Sequence, residues 1–184
     1  MYETIRPTTC GAHLMQRTAI RPAMDATFGS ATADSPVKLR QWTLAGFDGR
    51  CRVTTDFGNM PVMGLRVRDR VKTISGTFRE VKWIDDVRLD AAFLARHPEA
   101  QPMMIRAKAL GGLFPSDDMM LSPAQEIWVP DGQSGHGARP AASLEAQPGI
   151  RRHSTGEITY YRFHLGAPET VCIEGAWFCV KPEN

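Results

Sequence analysis

Arg50-Cys-Arg-Val-Thr-Thr-Asp-Phe-Gly-Asn-Met-Pro-Val-Met-Gly-Leu65, then Arg66-Val-Arg-Asp-Arg-Val-Lys-Thr-Ile-Ser-Gly76, then Thr77-Phe-Arg-Glu-Val-Lys-Trp-Ile84, reads as four short strands joined by tight turns. Val53, Thr54 and Thr55 are β-branched and suit a pleated, half-buried surface. Asp56-Phe-Gly58-Asn59 is a turn in which Gly58 is free to take a positive φ. Pro61 to Leu65 resumes extended chain, and Val71 to Ile74 is a third run. Ser75-Gly76 is a reversal suited to a two-residue hairpin. From Phe78 to Ile84 the chain alternates, with Phe78, Glu80 and Lys82 on one side and Arg79, Val81 and Trp83 on the other. A period of two is that of a sheet with one wet face.

Working outward, Trp42 to Gly49 leads into the first of these strands, and residues 1–43 form a turn-rich, polar, irregular arm. Downstream, Leu89, Ala92, Phe93 and Leu94 give a short helical face, with Asp85 or Asp86 as its cap and Pro98 as its stop. Met103 to Ala107 and Glu126 to Val129 read as strands. Pro130 to Thr155 reads as one long loop, interrupted at most by a helical turn at Ala141–Ala146. Glu157–Leu165, Thr170–Ile173 and Trp177–Val180 close the chain as strands, the last two folding back around Gly175. The 16 glycines and 13 prolines fit such a set of short strands better than helices. The fold class expected is therefore all-β, with little helix.

Composition narrows the function classes. A chain of 184 residues can bury one real core. A formal charge of +2 gives no reason to expect a nucleic-acid or anionic-membrane partner. No apolar run approaches the roughly 20 residues of a membrane helix, and the N-terminus lacks the apolar centre of a secretion signal, so a cytoplasmic location is expected. In that setting Cys10, Cys51, Cys172 and Cys179 read as reduced thiols. Cys10-Gly-Ala-His13 has a ligand-like gap but no second pair, and zinc needs about four ligands, so neither metal nor cofactor is expected. The five histidines are scattered, and no Gly-x-Ser-x-Gly, phosphate loop or metal signature occurs.

Thr55-Asp-Phe-Gly58, Pro61-Val-Met-Gly-Leu65, Asp69-Arg-Val71-Lys-Thr73 and Val81-Lys-Trp83-Ile84, in that order, resemble the opening strands of the hedgehog/intein (Hint) domains, in their bacterial subgroup. Ile105-Arg-Ala-Lys-Ala-Leu-Gly111 and Asp117-Asp-Met-Met-Leu-Ser-Pro123 resemble its middle segments, and Tyr160 and Glu174-Gly175 its last strands. The resemblance covers about residues 44–182 and implies a compact, horseshoe-like fold of short antiparallel strands in two similar halves. It also implies a chemistry. Family members cut or rearrange the peptide bond before their own first residue, which needs a thiolate, a histidine to move protons and a polar group for the oxyanion.

On this alignment the chemistry is missing. The nucleophile position falls at Gly46, the histidine after Ser-Pro-x at Gln125, and the histidines of the last strands at Arg162 and Pro168. No catalytic residue is therefore expected, and the reading is a Hint-type domain that has lost autoprocessing and acts as a binding or structural module for a protein partner. The alternative is self-cleavage at Cys51, five residues after Gly46, with His164 as base. Against it, Cys51 alternates with Arg50 and Arg52 as a core thiol would. Asn184, though inteins end in Asn, follows Glu183 where a histidine is usual, and reads as coincidence. Edge strands in such a fold invite pairing with a second copy, so monomer and homodimer both stay open.

Overall fold

The computed structural model of the chain describes residues 41–131 and 135–182. Most of the N-terminal arm, Cys10 to His13 and the terminal Glu183-Asn184 lie outside the described residues. Among the described residues the chain runs through β1 (Phe47–Asp48), β2 (Arg52–Thr55), β3 (Gly58–Pro61), β4 (Arg70–Lys72), β5 (Phe78–Glu80), β6 (Trp83–Leu89) and α1 (Ala91–Arg96). It continues through β7 (Met103–Ile105), β8 (Met119–Leu121), β9 (Glu126–Asp131), β10 (Gly135–Pro140), β11 (Ile150–Arg152), β12 (Ile158–His164), β13 (Glu169–Ile173) and β14 (Ala176–Val180). The strands pair antiparallel in two sheets. One has the order β11-β7-β8-β1-β12-β6; the other has β10-β9-β14-β13-β2-β4-β5, with β3 on β2. The expected all-β class holds. No helix among the described residues is long and apolar enough to cross a membrane.

The deciding stretch forms five strands, not four. Thr55 fixes the first hairpin: its Oγ1 donates to the Gly58 carbonyl at 2.7 Å and accepts from Phe57 N–H, and Gly58 takes φ +109° as the turn requires. Pro61 to Leu65 is not extended chain. After Pro61 the backbone makes a 3-10 turn over Val62–Gly64, because burying Val62 completely folds the chain inward there. The Ser75-Gly76 reversal is wider than two residues: Thr73 N–H donates to the Thr77 carbonyl across Ile74 to Gly76, and the hydroxyls of Thr73, Ser75 and Thr77 bond to one another. The alternation from Phe78 to Ile84 is not one strand. β5 belongs to the larger sheet and β6 to the smaller, and buried Val81 marks the crossing, where Lys82 N–H donates to the His164 carbonyl. Cys51 sits in a bend just before β2.

Two further expectations are corrected. Asp85 and Asp86 lie within β6, and the helix is capped by Asp90, whose carboxylate accepts from Phe93 N–H at 2.7 Å. Residues 130–155 are mostly not loop. β10 pairs with β9 over six residues, from Gly135 opposite Asp131 to Pro140 opposite Glu126. A 3-10 turn over Ala141–Leu144 buries Ala141 and Leu144, and β11 sets Ile150 opposite Ile105. The edge position of β10 explains how Gly-His-Gly-Ala-Arg-Pro is tolerated, since only one side of the strand needs backbone partners.

Between the sheets lies an apolar core built on Phe47, Val53, Val71, Ile105, Leu121, Ile127, Ile173 and Phe178. Phe47 meets Phe178 edge to face at 5.3 Å, so the short β1 anchors one sheet on the other. A smaller cluster joins Leu89, Leu94, Ile158 and Tyr160, whose buried hydroxyl donates to the Ala100 carbonyl at 2.9 Å.

Candidate functional site

Gly46, Gln125 and Arg162 come together in one cleft of about 580 Å³, lined also by Trp42, Trp83, Cys179 and Lys181. Gly46 enters β1 pressed against β12. A Cβ built on it would stand 2.9 Å from Tyr160 Cβ and 3.2 Å from the Tyr161 carbonyl. Its own carbonyl accepts from Ser122 N–H at 2.9 Å.

The Ser122-Pro123 turn is held from three directions. Ser122 Oγ accepts from Trp42 Nε1–H at 3.1 Å and from Ala124 N–H at 3.2 Å, and donates to the Leu44 carbonyl. This turn delivers Gln125, only 2% exposed, to the base of β14. There Gln125 Nε2 donates to the carbonyls of Cys179 at 2.8 Å and Glu126 at 3.1 Å. One amide nitrogen with two hydrogens serves two carbonyls, which no single imidazole nitrogen can do.

Arg162 stands on β12 opposite Asp85, to whose carboxylate it donates at 3.2 Å, with its guanidinium 5.2 Å above the Trp83 ring. His164, two residues on, stacks on the same indole at 5.4 Å and 13°. Its Nδ1 accepts from Gly166 N–H, which leaves the proton of the neutral ring on Nε2. Trp83, 37% exposed, is thus flanked by two β12 side chains at the mouth of the cleft. Pro168 is exposed in the turn before β13 and does not line the cleft.

Cys51 is elsewhere. It is 4% exposed, its Sγ donates to the Met120 carbonyl at 3.3 Å, and it borders a second cleft with Asp48, Met63, Met104, Met120 and Glu174. Burial, with Asp48 adding to it, pushes its pKa up to about 12. His164 lines neither cleft, so the structure does not bring Cys51 and His164 together around a common space. The thiol of the first cleft, Cys179, meets the Thr170 hydroxyl at 3.7 Å, and burial raises its pKa too.

Trp42, Cys179 and Lys181 were not expected at this site. Their places depend on how the sheets meet, which leaves no local signal; only the two-residue spacing of Trp177 and Cys179 hinted that Cys179 faces out of β14.

Comparison with known proteins gives a consistent relation. A profile described as Hint domain matches residues 45–179. No curated protein matches the chain. Among solved structures, a DnaB intein from Synechocystis sp. superposes with a TM-score of 0.50 at 6% identity, covering 76% of this chain and all of that one. The MchDnaB-1 intein superposes at 0.48 with 12% identity, over 74% of this chain and 99% of its own, and the gp41-1 intein at 0.46 with 9% identity, over 74% and 98%.

Proposed function

The chain belongs to the Hint domain family, and from that premise we propose that it is a non-processing member, which uses the cleft of Gly46, Gln125 and Arg162 to hold a peptide segment of a protein partner without cutting it. One observation supports this reading. Gly46, Gln125 and Arg162, which the sequence resemblance equates with the family's nucleophile and two of its histidines, line a single cleft, and each has a structural occupation there. Gly46 makes room for Tyr160, Gln125 bonds two carbonyls, and Arg162 is engaged with Asp85 and Trp83. Arginine stays protonated at any ordinary pH, and an amide carries no transferable proton, so neither is a base. Self-cleavage at Cys51 is disfavoured by the same physics. Burial raises the pKa of this thiol far above its ordinary value, so little thiolate is available at neutral pH.

What remains in the cleft suits recognition. Trp42 and the 37% exposed Trp83 offer apolar surface, and the Lys181–Glu126 ion pair, at 3.3 Å, adds a polar rim. Selection of random peptides on the intact protein tests the reading. Peptides enriched on the wild type and lost on Trp83→Ala together with Lys181→Glu support it. Peptides that ignore both substitutions, or recovery of cut peptides, contradict it.

A further inference from the structure

The cleft that Cys51 borders, about 500 Å³ in volume, is walled by sulfur. Met104 of β7 and Met120 of β8 stand directly opposite each other. Side chains so opposed start from Cβ atoms about 4.5–5.5 Å apart on one face of the pair. That face is turned from the main core. The flanking Met103, Ile105, Met119 and Leu121 fill the core, whereas Met104 and Met120 are half-buried and line the cleft. Met63 lines it too, from the 3-10 turn over Val62–Gly64, and is 58% exposed. The turn is held in place: Met63 N–H donates to the Gly49 carbonyl at 3.0 Å, and a Cβ on Gly49 would stand 2.9 Å from Met63 Cβ. Three thioethers from three separate segments therefore share one lining.

The other donors of the cleft are already engaged. Asp48 accepts from Arg50, Asp117 pairs with Arg52, Asp118 accepts from Ala107 N–H at 2.8 Å, and Glu174 accepts from Arg52 and Ser116. The Cys51 thiol donates to the Met120 carbonyl. Among the described residues no three His, Cys, Asp or Glu side chains are placed to hold a metal, so a hard or borderline ion has no ligand set here. Four carboxylates against two guanidinium groups still leave the lining negative, which favours a cation. Thioether sulfur selects a soft one. We propose that Met63, Met104 and Met120 bind a soft monovalent cation, copper(I), through their three thioether sulfurs. The site is separate from the Gly46 cleft and does not rest on the reading given for it.

The test titrates the full chain with silver(I), a redox-inert stand-in for copper(I), after blocking accessible thiols with N-ethylmaleimide. The methyl signals of the nine methionines are followed by NMR. Silver is expected to move the signals of Met63, Met104 and Met120 together, and calcium to leave them in place. Met63→Leu, a change of like volume at an exposed position, should keep the wild-type denaturation midpoint and weaken silver binding at least about tenfold. Cys51→Ala should leave the silver-induced shifts intact. Three unmoved methyls, shifts that vanish in Cys51→Ala, equal shifts with calcium, or undiminished affinity in Met63→Leu would each overturn the proposal.

Discussion

Gly46 lies so close to Tyr160 that a Cβ on the first would stand 2.9 Å from the Cβ of the second. The contact is backbone-anchored on both sides, because Phe47 pairs with Tyr161 and Gly46 O accepts from Ser122 N–H. A cysteine placed at this position would therefore be crowded against Tyr160 and not held as a free nucleophile. Gly46→Cys is expected to lower stability by about 1–3 kcal/mol, the usual cost of overpacking, measured by urea denaturation, and to release no fragment. A stable, self-cleaving Gly46→Cys protein would show that only the thiol was missing.

Gln125 is predicted to be a structural tie. In Gln125→Leu the Cys179 carbonyl loses a buried donor, so the variant should be less stable by about 1–3 kcal/mol. Gln125→His, whose neutral ring offers a single N–H donor, should fall between wild type and Gln125→Leu. Denaturation midpoints check this, and a Gln125→Leu protein as stable as wild type would contradict it.

Cys51 makes a prediction about pH. Its pKa in the folded state lies above the unfolded value of 9.0, so its protonated form is favoured by folding. The folded state then binds more protons than the unfolded one between about pH 9 and 12, and stability falls as pH rises through that window. The slope attributable to one such group approaches about 1.4 kcal/mol per pH unit. The burial-raised Tyr160 and Cys179 act in the same direction, so the comparison is with Cys51→Ala, whose stability should fall less steeply above pH 9. Parallel curves for the two proteins would remove Cys51 from the account.

Glu174 ties three elements at the Glu174-Gly175 turn, where both residues take the positive φ of a type I′ hairpin. Its buried carboxylate accepts from Arg52 N–H at 2.7 Å, from the Arg52 guanidinium at 3.3 Å and from Ser116 Oγ at 2.7 Å. Glu174→Ala should cost about 2–3 kcal/mol, below the full loss of a buried pair, because Arg52 is half exposed and keeps Asp117. Glu174→Gln should recover part of that in the same denaturation series.

The residues show why some of this could be read in advance. β2, β12, β13 and β14 are rich in β-branched and aromatic residues and bounded by Gly or Pro, so their existence was visible. β10 was not, because Gly-His-Gly-Ala-Arg-Pro has no strand preference and forms only where β9 supplies a ladder. The change of sheet at Val81-Lys82 was hidden because the alternation runs on through it. Gly46, Gln125 and Arg162 were singled out by resemblance alone; that they share a cleft depends on β1, β12 and the Ser122-Pro123 turn converging. The close approach of Gly46 to Tyr160 and the hydrogen bonds of Gln125 to Cys179 and of Arg162 to Asp85 are long-range and carry no mark in the local sequence.

The proposed absence of self-processing is tested most directly by the intact mass of the purified 184-residue chain before and after incubation with dithiothreitol at neutral pH. One species of 20.4 kDa, unchanged by the thiol, is expected. A thiol-accelerated fragment beginning at Gly46 or Cys51 would contradict it.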